Sequence, residues 1–163
     1  MKSKFSFAGY LPVILGFALA FLMAGFIVLL VKNLVPAPDL RSLPLILILS
    51  FTLVWLFGGE FRTKMIKIAI NGDIISVNRF GGLGKTRTYL LSEFDGFKTS
   101  RQSYGARGIL EYLYLMNGGQ KTIKLSEAYH KNYQDLKAAI QPKVKDLGYE
   151  QFSFLDELKE IFV

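Results

Sequence analysis

The chain has 163 residues, no cysteine and one histidine, carries a formal net charge of +7, and is 51% hydrophobic. Disulfides, thiolate chemistry, lipoprotein or palmitoyl anchors and multi-histidine metal centres are therefore excluded. The apolar fraction is too high for an ordinary soluble domain, and the excess lies in two stretches near the N-terminus.

Residues 5–31 hold no charge. Their apolar part, 11–31, makes a helix of about 31 Å at 1.5 Å per residue, enough for a hydrocarbon core of roughly 30 Å. Lys2 and Lys4 precede it and Ala18-Leu19-Ala20 mimics a signal-peptidase site. A signal core is only about 7–15 residues long, whereas this run continues to Val31, so an uncleaved anchor over about 8–32 is expected. Pro36 and Pro38 then enforce a non-helical connection. Residues 43–59 form a second apolar run whose only polar side chains are Ser50 and Thr52, so it lacks the polar face of a soluble helix. A second spanning helix over about 43–60 is expected, with Trp55 and Phe57 at headgroup level. Lys2, Lys4, Arg62, Lys64 and Lys67 outnumber Lys32 and Arg41 of the connection, which puts both termini in the cytoplasm. Gly16, Ala20 and Ala24 recur every fourth residue and form a candidate helix-packing seam, within the hairpin or between copies.

The pattern changes after residue 61, dividing the chain into a hairpin (1–61) and a cytoplasmic domain (62–163). Ile66, Ile68 and Ile70 alternate, Asn71-Gly72-Asp73 suits a tight turn, and Ile75 and Val77 continue a second strand that ends at Gly81-Gly82-Leu83-Gly84. Further strands are expected at 86–91, 94–100, 109–117 and 122–125, the fifth apolar on both faces and therefore central. Its alternative is an open face of Tyr and Met that binds protein. Tyr133, Leu136, Ile140, Val144 and Leu147 then form one helical stripe, with Asn132 as N-cap, Gly148 as stop and Pro142 as a kink. Phe154, Leu155, Leu158, Ile161 and Phe162 form a last amphipathic piece, acid-rich on its polar side and suited to packing on the domain or a neighbouring subunit.

Residues 66–97, with their opening strand pair, and the closing helix at 132–140 resemble a pleckstrin-homology (PH) domain. The whole chain is similar to bacterial PH-like membrane proteins, in which a transmembrane hairpin precedes such a domain. The resemblance implies an α+β membrane protein: an N-terminal helical hairpin, then an antiparallel β sandwich or barrel capped by a C-terminal helix. It also implies a binding or assembly module, often oligomeric, and not a catalyst.

No enzyme mechanism emerges from the residues. Gly84-Lys85-Thr86 imitates the end of a phosphate loop, but Arg79 stands where the first glycine belongs and a strand follows in place of a helix. His130 has no motif partner and reads as an exposed residue near a helix start. Glu93/Asp95 and Asp156/Glu157 read as solvated surface. Tyr89, Tyr112 and Tyr114 among basic residues are better explained by sheet packing than by nucleic-acid stacking. The remaining candidates are cations: Arg62, Lys64, Lys67, Lys85 and Arg87, as lipid-headgroup or membrane-surface contacts or as an ordinary topology signal. Expected partners are the bilayer, a protein or further copies of the chain, and anionic headgroups; no metal, cofactor or nucleic acid is expected. The leading expectation is a non-catalytic interaction or assembly module at a bacterial inner membrane. The alternatives are an anionic-lipid sensor and an accessory subunit of a transporter or secretion complex.

Overall fold

The computed structural model describes residues 1–36, 38–105, 108–153, 155 and 158. Two helices lead. Helix α1 is Phe7–Val31; α2 is Leu43–Val54 and continues through wider, π-type turns over Trp55–Lys64. Both are long and apolar enough to cross a membrane, with mean hydropathy of 2.8 and 1.8. Only 6% of each apolar window is buried, so neither is a helix enclosed by a soluble core. At the root of the hairpin Gly16 meets α2: a Cβ there would lie 3.2 Å from the Phe57 ring. Ala20 is half-buried and Ala24 exposed, so of the small-residue row only Gly16 is enclosed within the hairpin. Towards the connection the helices part around an apolar cleft of about 930 Å³ lined by Leu22, Phe26, Leu30 and Leu45.

Among the described residues the β domain holds two sheets and no closed barrel. The first is an antiparallel meander of β1 (Lys67–Asn71), β2 (Ile74–Asn78) and β3 (Thr86–Leu90). Its first turn is the expected one, with Gly72 at φ +55°. The second sheet runs β6-β5-β4-β7, from β4 (Gly96–Ser103), β5 (Ile109–Asn117), β6 (Gln120–Ser126) and β7 (Asp146–Tyr149). The helix α3 (Tyr133–Ile140) lies between β6 and β7 in the chain. One apolar cluster joins both sheets and this helix. It takes Ile68, Ile70, Ile75 and Val77 from the first, with Ile66 just before it, Phe97, Leu113, Leu115, Ile123 and Leu125 from the second, and Leu136 and Ile140 from α3. The strand β5 is buried on both faces, with Tyr112, Tyr114 and Met116 forming a separate cluster on the side away from the core.

Three expectations are corrected. The C-terminal helix stops at Ile140 and does not kink at Pro142: Gln141 still has helical φ and ψ, but Pro142 has no N–H to donate to the Ala138 carbonyl, so the ladder ends there. Val144 stays buried without helix, while Leu147 and Gly148 belong to β7, which pairs parallel to β4. The sandwich is therefore not wholly antiparallel. His130 is not an exposed residue: it is 1% exposed, with Nε2 2.9 Å from the Ile66 carbonyl and Nδ1 3.0 Å from that of Ser126. Burial pushes its pKa below the ordinary imidazole value, outweighing those two carbonyls, so the neutral ring ties the residue just before β1 to the end of β6. Leu155 and Leu158 are helical, but Phe154, Ile161 and Phe162 of the last amphipathic piece, and the Asp156/Glu157 pair, lie outside the described residues.

Candidate functional site

Both roots of the hairpin end on the β domain, and each is fixed by polar contacts that the apolar pattern alone would not reveal. The first three residues run along the outer edge of β1. Ser3 N donates to Ile68 O at 2.7 Å, Ile68 N to Ser3 Oγ at 2.8 Å and Ile70 N to Met1 O at 2.7 Å. The segment then crosses to the loop after β6, where Lys131 N donates to Lys4 O at 2.8 Å and Ser6 N to Tyr129 O at 2.9 Å. Asn132 is at the N-cap of α3 but makes no side-chain cap. Its amide instead grips the first segment, accepting from Lys4 N at 2.7 Å and donating to Lys2 O at 3.0 Å.

The second root is an ionic joint. Lys64, only 4% exposed, donates to Glu60 Oε1 at 2.7 Å, and the Tyr129 hydroxyl donates to Glu60 Oε2. Burial first, and then the Glu60 charge, hold the Tyr129 hydroxyl far above its usual pKa, so it stays a donor. Met65, Ala128 and Tyr129, with Phe5, Val13 and Phe61, form a small apolar core around this joint. A carboxylate one turn below an apolar helix, facing a lysine four residues on, is readable as a local pair. Its third partner, 69 residues away, is not.

Beside the joint is a cavity of about 120 Å³ lined by Arg62 and Thr63 of the helix end, Arg79 after β2, and Lys121, Thr122 and Lys124 of β6, over a floor of Ile66, Val77 and Ile123. Burial, and then the positive charges of Arg87 and Arg62, push the Arg79 guanidinium below its ordinary pKa. On the outer face of the second sheet the Lys124 ammonium is 5.1 Å from the Tyr112 ring centre and that of Lys121 is 4.5 Å from Tyr114. Lys121 also pairs with Glu150 at 2.6 Å. That bond, with Lys98 adding to it, holds the Glu150 carboxylate below its usual pKa against the opposing effect of burial.

Of the cations singled out from sequence, Arg62 lines the cavity together with Arg79, and Arg87 lies on β3 opposite Val77. Lys64 is enclosed in the joint. Lys67 is exposed, its stem lying against Gly82, and Lys85 is exposed on the β2–β3 loop. Sequence reasoning missed Glu60, Tyr129, Lys121 and Lys124; the last two join the arginines only because β6 packs beside the helix end. No protein-family model, curated protein or solved structure matches this chain.

Proposed function

We propose that the protein is a non-catalytic interaction module, PH-like in its β domain, carried on a hairpin that spans a bacterial inner membrane with both termini in the cytoplasm. The observation that supports this best is the double clamp. Met1–Ser6 and the Glu60–Lys64–Tyr129 joint fix both helix roots to one side of the β domain, so one orientation is presented at the bilayer surface. The two edges of the first sheet differ. The β1 edge is covered by the N-terminal segment, whereas β3 pairs with β2 alone among the described strands and is exposed along most of its length. An open edge offers backbone donors and acceptors to another strand, from a partner protein or a second copy.

The mass of the full chain in nanodiscs, by light scattering with lipid and scaffold subtracted, tests the assembly reading. A discrete multiple of 18.4 kDa is the expected result. A monomer at all concentrations would remove self-assembly and leave a separate protein as the partner.

A further inference from the structure

The open edge of β3 carries an inference that rests on the assembly reading above and gives it a partner and a register. Leu91 N donates to Asp73 O at 2.7 Å, which sets the phase of the ladder between β2 and β3. Backbone groups alternate along an antiparallel strand. Those of Arg87 and Tyr89 therefore turn towards β2, and those of Thr86, Thr88 and Leu90 turn outwards. Leu90 N is taken by the Glu93 carboxylate at 3.3 Å, whereas the outward groups of Thr86 and Thr88 have no partner among the described residues. No proline or shift in register blunts this edge. Charge is polarised along it: Lys85 and Arg87 stand at its start, and Glu93 and Asp95 follow its end, all four exposed.

We propose that β3 pairs with β3 of a second copy, antiparallel about a two-fold axis at Thr88, so that two three-stranded sheets become one continuous sheet. Thr88 then exchanges both backbone bonds with Thr88 of the second copy, and Thr86 N donates to Leu90 O. Arg87 lies opposite Tyr89, at a position where facing side chains are closest and a cation meets a ring. On the other face the pair of hydroxyls at Ser76 and Thr88, 3.3 Å apart, continues across the axis. The antiparallel sense also sets the basic start of each strand beside the acidic end of the other. A slip that puts Arg87 on Arg87 faces like charges directly. The opposite slip, Tyr89 on Tyr89, brings Thr88 to Leu90, whose N–H is already given to Glu93.

Single cysteines in the full chain, oxidised with copper phenanthroline in nanodiscs whose protein mass is measured in parallel, test this register. Thr88→Cys places two Cα atoms about 5.5 Å apart, inside the range of about 4.4–6.8 Å that a disulfide accepts. Ser76→Cys, beside it on β2, is three strand spacings from its copy, about 14 Å. Cross-linking at 88 is expected to be at least tenfold faster than at 76. Thr88→Pro removes an outward N–H without touching the β2 ladder, and is expected to weaken association about tenfold while β5 keeps its hydrogen-exchange protection. A monomer would overturn this pairing together with self-assembly. An oligomer that cross-links no faster at 88 than at 76, or that withstands Thr88→Pro, would overturn the β3 pairing alone and leave assembly to another surface.

Discussion

Replacing Glu60 with leucine is expected to open the joint between hairpin and β domain while leaving each intact. Glu60 accepts from both Lys64 and Tyr129. The lysine side chain is 5% exposed and that of Glu60 14%, so little water is available to replace the bond. Removing one partner of a buried pair costs about 3–5 kcal/mol. The loss falls at the joint and not in the main core, since Glu60 and Lys64 belong to neither sheet. Hydrogen exchange on the nanodisc-embedded chain reads this directly. Amides of residues 1–6 and 126–131 should exchange faster, while those of β5 keep their protection. Glu60→Gln retains an acceptor for Tyr129 and should fall between wild type and leucine. Equal loss of protection through β5 would mean that the joint is part of the main folding unit.

Gly96→Ala is expected to detach β7. A Cβ at residue 96 would lie 2.4 Å from Leu147 Cγ and 2.6 Å from the Lys145 carbonyl oxygen. The side chain could turn aside, but the carbonyl is held by the Phe97 N–H at 2.8 Å and is part of the β4–β7 pairing. Overpacking of this kind costs about 1–3 kcal/mol, which lowers the Tm of a domain this size by several degrees. Loss of β7 also removes the approach of Glu150 to Lys98 and Lys121, so exchange should rise across 145–150 before it rises elsewhere. Gly25→Ala, a control with nothing within 4 Å of the new methyl group, should leave the melting curve unchanged.

The parts of this fold that were legible in the sequence are those governed by local pattern. Uncharged length marked the two helices, and alternation at Ile66, Ile68 and Ile70 marked the buried face of β1. The double apolarity of residues 109–117 marked the interior strand. What was not legible depends on contacts between distant residues. The stripe through Val144 and Leu147 has helical phase, yet Pro142 ends the helical path and Leu147 is recruited to a strand by the room that Gly96 leaves beside it. Lys2 and Lys4 carried a topology signal, but nothing local showed that their backbone closes the β1 edge. For the candidate site, the richness of basic residues past the second helix was evident, whereas their division was not. Burial draws Lys64 into an ion pair, and the packing of β6 against the helix end supplies Lys121 and Lys124 in its place.

The central claim, a hairpin that crosses the bilayer with the β domain clamped on the side of both termini, is tested most directly by where single cysteines can be labelled. The chain has none of its own, so each introduced thiol reports alone. Leu34→Cys lies in the exposed connection between the helices and Ser92→Cys in an exposed turn of the β domain. In intact bacterial cells stripped of outer-membrane barrier, a membrane-impermeant maleimide should label residue 34 at once and residue 92 only after the inner membrane is permeabilised. Labelling of both, or of neither, before permeabilisation would contradict the account.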